Sequence, residues 1–165
     1  NLPKEGVIWD ICSGVGSIGL EALRISPELK LVSIEKKIGS QRIIEINAKK
    51  LGVKPFKIIE GEALMSLKEN KLEGNISSPD RVILGGGGKK SYLILEEIFK
   101  NIRTGSIIVI PLISLKSLSR LEALLKPKVN YISISQHQSY RGIPIGEDTR
   151  LSPLNPVFIL KGEFK

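Results

Sequence analysis

One stretch near the amino terminus constrains this chain more than any other: residues 7–19, Val-Ile-Trp-Asp-Ile-Cys-Ser-Gly-Val-Gly-Ser-Ile-Gly. It predicts a buried strand with an acidic end at Asp10, then a glycine-rich turn, then the start of a helix. Gly14 and Gly16 lack a Cβ atom, so the backbone can turn sharply there and a ligand can approach it closely. The free N–H groups of the following helix would face that ligand. Together these features predict a cradle for a nucleotide-type cofactor.

Two classes of cofactor compete for this cradle. The spacing Gly14-x-Gly16-x-x-Gly19 matches the dinucleotide fingerprint, and Glu35 follows roughly 20 residues later, where an acid that binds ribose belongs. However, Asp10 stands four residues before Gly14, and the resulting Asp-x-x-x-Gly-x-Gly pattern resembles motif I of the class I S-adenosylmethionine methyltransferases. S-adenosylmethionine carries an amino group and a sulfonium, which suit nearby acidic groups, whereas a carboxylate would repel a pyrophosphate. We therefore favour S-adenosylmethionine over a dinucleotide, and either over a glycine turn without a ligand.

Length and cysteine content bound the class of protein. The chain has 165 residues, enough for a substantial core, and residues 1–165 are predicted to form a single domain. It shows no signal-peptide pattern, and no apolar run reaches the roughly 18 residues of a membrane span, so no membrane partner is expected. The single cysteine, Cys12, excludes an internal disulfide and fits a reducing compartment, which predicts a cytoplasmic protein. One cysteine and one histidine cannot build a Cys/His zinc site, and no metal site is predicted.

Charge indicates an anionic partner. The chain has 25 lysines and arginines against 17 aspartates and glutamates, a net charge of +8. Nucleic acid and a polycarboxylate small molecule both fit, and so do scattered surface lysines that only aid solubility, because no basic run exceeds two residues. Aromatic residues make up only 5% of the chain and do not interleave with basic ones, and the Asn/Asp-Pro-Pro-Tyr sequence that grips a flipped base is absent. Nucleic acid is therefore disfavoured.

Apolar runs alternate with longer helical stretches, which is typical of an α/β fold with a mostly parallel sheet. Strands are predicted at 6–11, 30–35, 56–60, 81–85, 106–111, 129–135 and 156–161, and helices near 17–25, 38–51, 62–70, 90–102 and 114–126. No helix precedes the last strand, so this strand is expected to enter the sheet antiparallel. The connection from Gln136 to Asn155 is too long for a tight hairpin and predicts a functional or disordered loop.

Acidic and small residues follow the second and third predicted strands. Glu35 ends the second strand, where its carboxylate can accept two hydrogen bonds from a ribose diol. Ala63 follows the third strand, and a small residue there would let an adenine ring lie against the backbone. Glu62 precedes it and is expected at the positive end of the next helix.

Four consecutive glycines, residues 85–88, follow the fourth strand, and Lys89 and Lys90 come directly after them. Each glycine loses much conformational entropy on ordering, so such a run does not serve stability. It makes sense where the backbone passes beneath a large, flat ligand, and the lysines could then meet carboxylates of that ligand. The alternative is a flexible loop with no ligand.

These features together resemble one family, the decarboxylating precorrin and cobalt-precorrin methyltransferases of cobalamin biosynthesis. The resemblance covers nearly the whole chain and rests on residues 10–19, Glu35, Asn47-Ala48 with Gly52, residues 60–63, the four glycines, and the closing strand from Asn155-Pro156. It implies cofactor contacts at Cys12 through Gly16, at Glu35 and at Ala63. The full expected set of cofactor-binding residues is Asp10, Cys12, Ser13, Gly14, Val15, Gly16, Glu35, Glu62, Ala63 and Gly85, and that of substrate-binding residues is Gly86, Gly87, Lys89 and Arg141.

The resemblance also implies a fold and a reaction. The fold is the Rossmann-like three-layer sandwich of class I methyltransferases, with seven strands of which the last is antiparallel. The reaction is methyl transfer from S-adenosylmethionine to carbon 15 of a precorrin, an anionic tetrapyrrole, with decarboxylation of the acetate on ring carbon 12. No catalytic acid or base is predicted, although Tyr140, Arg141 and Glu147 are candidates for holding acceptor groups. A homo-oligomer, a tetramer by resemblance, is expected.

Two departures from the family pattern qualify this expectation. Family members often have glycine where this chain has Cys12, which predicts a slightly displaced loop. They also have a segment before the first strand that helps to cover the cofactor, so this chain is expected to be a fragment or to have lost a fused partner. An RNA methyltransferase and a non-catalytic binding module with the cofactor fold remain as alternatives.

Overall fold

The structure, a computed structural model, describes residues 2–69, 78–86 and 88–165. Within these ranges lie nine strands, namely β1 (Glu5–Ile11), β2 (Glu28–Glu35), β3 (Lys57–Glu60), β4 (Arg81–Leu84), β5 (Ile107–Leu112), β6 (Val129–His137), β7 (Tyr140–Ile145), β8 (Asp148–Pro153) and β9 (Val157–Phe164). The same ranges hold five α-helices, namely α1 (Ser17–Ile25), α2 (Ser40–Leu51), α3 (Ala63–Lys68), α4 (Ser91–Phe99) and α5 (Leu115–Leu125).

Seven of the strands form one sheet, in the order β3-β2-β1-β4-β5-β9-β6. Strands β1 to β5 pair in parallel, whereas β9 is antiparallel to both β5 and β6. The predicted α/β class and the antiparallel final strand are therefore confirmed. Each predicted strand and helix is present with its ends shifted by up to three residues, and residue 70, the predicted end of the third helix, lies outside the described residues.

Side chains alternate between the two faces of this sheet; helices cover one face and the β1–β2 part of the other. On one face Ile8 and Leu31 pack with helices α1 and α2. On the other face Trp9 and Val32 pack with α3, α4 and α5. Because β1 and β2 are covered on both faces, apolar residues follow one another in these strands instead of alternating with polar ones. On the α1–α2 face of β5, Ile107 and Val109 are only half-buried and line an open groove. No helix within the described ranges is long and apolar enough to cross a membrane.

The connection between β6 and β9 differs from expectation. We expected a loop over Gln136–Asn155, but strands β7 and β8 within it pair as a separate antiparallel hairpin. The two-residue turn of this hairpin is Gly146-Glu147, and Gly146 has a φ of 59°, which glycine adopts without steric cost. The two strands were missed because the length of the whole connection was compared with a tight hairpin, whereas the turn signal lies at its centre. That this connection is functional stays a prediction.

One edge of the sheet collects the elements that matter for binding. The carboxyl ends of β1, β2, β4 and β5 lie at this edge, and the order of the chain reverses between β1 and β4. Open α/β sheets bind ligands in the crevice at such a reversal. Strand β6 is antiparallel to β9, as β5 is, so β6 also ends at this edge and the β7–β8 hairpin leaves the sheet there.

Candidate functional site

A cleft of about 650 Å³ opens where the chain order reverses, and we call it the switch-point cleft. It is formed by the residues that follow β1, β2, β3 and β4, together with the first turns of α3 and α4. Its lining residues are Cys12, Gly14, Ile34, Glu35, Lys36, Glu62, Ala63, Gly85, Gly88, Lys89, Lys90 and Ile94. A second groove, of about 340 Å³ and almost wholly apolar, lies against β4 and β5 and contains none of the predicted site residues.

The turn between β1 and α1, residues 12–16, is the glycine loop. Gly14 and Gly16 have φ angles of 61° and 79°, in the left-handed region that glycine adopts freely. Cys12 also has a positive φ, 59°, which a residue with a Cβ rarely adopts. This conformation explains why a glycine suits the position of Cys12 in the family pattern.

The Cys12 thiol lines the cleft. Burial, together with the nearby carboxylates of Glu35 and Glu62, raises the pKa of the Cys12 thiol to about 11. A pKa raised in this way disfavours the thiolate, which is the reactive form, at neutral pH.

Three N–H groups of the glycine loop and of the first turn of α1 donate hydrogen bonds within the chain, two to carboxylates and one to a backbone carbonyl. The N–H of Gly14 donates to Glu35 Oε2 at 2.9 Å, and the N–H of Gly19 donates to Asp10 Oδ2 at 3.1 Å. The N–H of Gly16 donates to the Ser13 carbonyl at 2.9 Å. In a phosphate-binding cradle such N–H groups face the anion instead. In this chain the N–H groups of Gly14, Gly16 and Gly19 are engaged by acceptors of the chain itself.

Asp10 lies beneath helix α1 and outside the cleft lining. Asp10 is only 2% exposed. A Cβ on Gly19 would stand 2.8 Å from Asp10 Oδ2, so the hydrogen bond between the Gly19 N–H and this oxygen requires glycine. Burial raises the pKa of the Asp10 carboxyl to about 6, against the lowering effect of the Gly19 hydrogen bond. Gly16 begins the helix without a side-chain cap, so Asp10 supplies the missing acceptor to its first turn.

Glu35 is held in place through both of its carboxylate oxygens. Oε2 accepts from the Gly14 N–H, and Oε1 accepts from the Lys37 N–H at 3.0 Å. Each carboxylate oxygen can accept a further hydrogen bond, so Glu35 still has acceptor capacity for a ligand in the cleft. The backbone carbonyl of Glu35 also accepts the N–H of Gly61, which ties β2 to the turn after β3.

A second tie supports the glycine loop from outside. Asn47, on helix α2, donates from its side-chain amide to the Val15 carbonyl at 3.0 Å. This contact gives a physical role to the Asn-Ala pair of residues 47–48. Sequence reasoning noted the pair but assigned it no contact, because the two segments meet only in the folded chain.

Glu62 begins helix α3, as expected. Its Oε2 accepts the N–H groups of Leu64 at 2.9 Å and Met65 at 3.4 Å, and its Oε1 accepts from Lys90 Nζ at 3.1 Å. Burial opposes ionisation, but the hydrogen bonds from Lys90 and from the helix N–H groups outweigh it and lower the pKa of the Glu62 carboxyl. The Glu62–Lys90 ion pair therefore joins the first turn of α3 to the residue that precedes α4 across the cleft.

The four-glycine turn after β4, residues 85–88, contains two different kinds of position. A Cβ on Gly85 would lie 2.5 Å from the carbonyl oxygen of Cys12, so the ends of β1 and β4 pack too closely for any other residue. Within the described part of the chain, a Cβ on Gly86 would meet no atom within 4 Å, although the φ of 88° favours glycine. Gly87, one of the expected acceptor residues, lies outside the described residues.

The structure brings together many, but not all, of the expected site residues. Seven of them line the cleft: Cys12, Gly14, Glu35, Glu62, Ala63, Gly85 and Lys89. Ser13, Val15 and Gly16 complete the glycine loop, whereas Asp10 and Gly86 lie outside the lining. Arg141 lies on β7 with Tyr140, and Glu147 lies in the hairpin turn, so all three project from the sheet edge instead of lining the cleft. Sequence reasoning did not identify the apolar lining residues Ile34 and Ile94, which resemble ordinary core positions.

Comparisons with known proteins agree on one family. The family model described as "Precorrin methyltransferase domain" matches residues 2–162. A protein of Pyrobaculum aerophilum named probable cobalt-precorrin-6B C(15)-methyltransferase (decarboxylating) is 36% identical over 162 residues, which cover 96% of this chain and 79% of that protein. A precorrin-6Y C(5,15)-methyltransferase (decarboxylating) of Sinorhizobium is 28% identical over 158 residues, which cover 94% of this chain and 36% of that protein.

A solved structure shows the same fold. The crystal structure of precorrin-6Y C5,15-methyltransferase from Geobacter metallireducens GS-15 matches this chain with a TM-score of 0.82 and 22% sequence identity. The match covers 96% of this chain and 80% of that one. The architecture described above is therefore that of a class I methyltransferase.

Proposed function

Because this chain belongs to the precorrin methyltransferase domain family, we propose that it methylates carbon 15 of a precorrin with S-adenosylmethionine and removes the acetate carboxyl at carbon 12 as carbon dioxide. The observation that carries the proposal is that, in a chain of this family, Glu35 accepts the Gly14 N–H of the glycine loop and Asp10 accepts the Gly19 N–H of α1.

Support for the cofactor comes from the charges around the cleft. A dinucleotide would need loop and helix N–H groups for its pyrophosphate, but those of Gly14 and Gly19 already donate to carboxylates. Two carboxylates, Glu35 and Glu62, line the cleft together with Lys36, Lys89 and Lys90, and Glu62 is paired with Lys90. This mixed lining suits a ligand that carries both cationic groups, a sulfonium and an ammonium, and a carboxylate. The cleft therefore fits S-adenosylmethionine better than NAD.

Each expected cofactor residue has a position from which it would act. Glu35 would receive the ribose hydroxyls, and Ala63 would leave room for the adenine ring beside Glu62. The glycine loop, residues 12–16, and Gly85 would form the wall against which the methionine part lies. We propose that Asp10 acts from beneath, by holding the first turn of α1 through the Gly19 N–H.

The reaction places modest demands on the protein. When bound, S-adenosylmethionine supplies an activated methyl group whose bond to sulfur breaks as its bond to carbon 15 forms. In the acceptor, the bond to the carboxylate carbon breaks and its electron pair enters the conjugated macrocycle. The chain's residues would align the two molecules and exclude water from the carboxylate, so no residue is assigned as a catalytic acid or base.

The acceptor is proposed to lie at the β4 side of the cleft, at Gly86, Gly87, Lys89 and Arg141. We also propose a homo-oligomer, a tetramer as the family resemblance suggests, in which a neighbouring copy covers the β7–β8 hairpin. Support comes from the hairpin itself, because an isolated two-stranded hairpin is marginally stable in water and this one exposes Ile145 and Leu151. Light scattering that finds only monomer at micromolar concentration would remove this part. A cytoplasmic location stays a prediction.

Calorimetry and a transfer assay test the proposal together. We expect S-adenosylmethionine and its demethylated product to bind, and NAD to bind more weakly than either. With the cofactor labelled in its methyl group, label should pass to a precorrin extract and not to RNA. Tighter binding of NAD would overturn the cofactor assignment, label in RNA would favour an RNA methyltransferase, and binding without any transfer would favour a non-catalytic module.

A further inference from the structure

Two aliphatic side chains, Ile113 and Leu115, are exposed in the turn where β5 leads into α5, and neither lines the switch-point cleft. Ile113 is 72% exposed and Leu115 is 68% exposed, while Leu112 directly before them is buried. A single exposed aliphatic side chain is common on a protein surface. Two of them in three residues, at the edge of the sheet where ligands bind, indicate a contact surface.

This turn is fixed by the fold. Ser114, between the two aliphatic residues, caps helix α5: its Oγ accepts the N–H of Ser117 at 3.4 Å, and its carbonyl accepts the N–H of Leu118 at 2.9 Å. Because the cap holds the backbone, Ile113 and Leu115 are presented outward without a large further loss of entropy on binding.

The turn stands between two cationic elements. On one side β5 pairs with β4, with Val109 opposite Ile83, and β4 leads into the glycine turn and Lys89. On the other side β5 pairs with β9, which pairs with β6, and β6 leads into the hairpin that carries Arg141. Three strand spacings of about 4.8 Å separate β4 from β6, or roughly 14 Å in all. The edge therefore presents a cation, an aliphatic surface and a second cation in that order.

Resting on the proposed function, we propose that Ile113 and Leu115 form the seat for the flat face of the tetrapyrrole acceptor. The carboxylates at the edge of the macrocycle are then directed toward Lys89 on one side and Arg141 on the other. An aliphatic surface between two cations is complementary to a molecule whose face is apolar and whose rim carries carboxylates. Nucleic acid matches it less well, because base stacking uses aromatic side chains and this seat is aliphatic.

The test replaces the two aliphatic side chains of the seat with small polar ones, which leaves the net charge unchanged. The double variant Ile113→Ser/Leu115→Ser is compared with Ile25→Ser, because Ile25 is also 68% exposed but lies at the end of α1, near the opposite edge of the sheet. We expect the acceptor KM of the double variant to rise about tenfold, as the loss of two aliphatic contacts implies. The Kd for S-adenosylmethionine should stay within about twofold of the unmodified chain, and Ile25→Ser should change neither constant.

A binding measurement separates failure of the seat from failure of the proposed function. Uroporphyrin, a flat tetrapyrrole with carboxylates around its rim, serves as a probe that needs no turnover. If the unmodified chain methylates no precorrin but binds uroporphyrin and the double variant binds it about tenfold more weakly, the reaction assignment fails and the seat stands. If the double variant and Ile25→Ser give the same acceptor KM and the same uroporphyrin affinity, or if the unmodified chain binds no uroporphyrin and methylates no precorrin, the seat is wrong.

Discussion

The two sides of the switch-point cleft are built differently. On the β1–β2 side, Glu35 accepts the Gly14 N–H of the glycine loop at 2.9 Å, and Asp10 accepts the Gly19 N–H of α1 at 3.1 Å. On the β4–β5 side, Lys89 is exposed, and a Cβ on Gly86 would meet no atom of the described residues within 4 Å. The first side is preorganised for a small ligand, whereas the second leaves room for a large one. Substitutions on the first side should therefore change cofactor affinity, and those on the second should change the use of the acceptor.

The largest expected effect on the β4–β5 side of the cleft comes from the variant Gly86→Val. A Cβ at Gly86 would meet no atom of the residues that the structure describes within 4 Å, so we expect the added side chain to project into the space proposed for the acceptor. We expect turnover to fall by at least about 100-fold, as a misplaced substrate implies. Cofactor affinity should stay within a few fold by calorimetry. Because β-branched residues tolerate the φ of 88° poorly, the melting temperature is measured alongside, and Gly86→Ala is tested as a milder variant.

Gly85→Ala is the matched control for this prediction. Its Cβ would stand 2.5 Å from the Cys12 carbonyl, so the cofactor side itself must shift. We expect a lower melting temperature and weaker cofactor binding, the reverse of the Gly86 pattern. If Gly86→Val stays folded and methylates a precorrin at the normal rate, the glycine turn does not face the acceptor.

The variant Asp10→Asn tests how much stability the chain loses when the buried Asp10 carboxyl ionises. The quantity that shows it is the pH dependence of the free energy of unfolding. The folded pKa of Asp10, about 6, lies above its ordinary value of 3.8, so the folded chain binds this proton more tightly than the unfolded chain. The stability that this group contributes is full below about pH 4 and is lost as the pH rises through about 6. At 1.36 kcal/mol per pKa unit the loss is about 3 kcal/mol.

Asparagine keeps an acceptor for the Gly19 N–H but does not ionise. The free energy of unfolding of Asp10→Asn, relative to the unmodified chain, should therefore rise by up to about 3 kcal/mol between pH 4 and pH 7 and stay level above that. Urea denaturation across this range measures it. A difference that does not change with pH would mean that Asp10 is already charged throughout and that its burial is less costly than the structure indicates.

Glu35→Ala should weaken cofactor binding by about 1.5–3 kcal/mol, the usual range for hydrogen bonds to a charged group. The acceptor KM should change little, because Glu35 lies on the β2 side of the cleft. Glu60→Ala is the matched control: Glu60 stands opposite Glu35 in the sheet, but its carboxylate accepts the N–H of Gln41 and does not line the cleft. Equal affinities for all three chains in calorimetry would show that Glu35 is only a solvated strand end.

The contrast between the two sides also explains what the sequence could and could not predict. The glycine loop, Glu35 and Glu62 were found because local patterns encode them: positive φ at Gly14, an acid at a strand end, a cap at a helix start. The contact of Asp10 with Gly19 was not found, since a pattern does not tell which way a buried carboxylate points. The seat at Ile113 and Leu115 depends on strand order, which sequence periodicity alone does not give.

The smallest expected effect is electrostatic and concerns cations on the β4–β5 side of the cleft and on the β7–β8 hairpin. Lys89→Glu and Arg141→Glu each replace an exposed cation near the proposed path of an anionic acceptor. Exposed charges interact weakly in water, so each change should raise the acceptor KM by a few fold, and added salt should produce a similar rise in the unmodified chain. Lys4→Glu makes the same change of charge just before β1, at the opposite edge of the sheet, and should leave the acceptor KM unchanged. If Lys4→Glu raises it equally, the acceptor responds to the net charge of +8 and not to the two cations beside its seat.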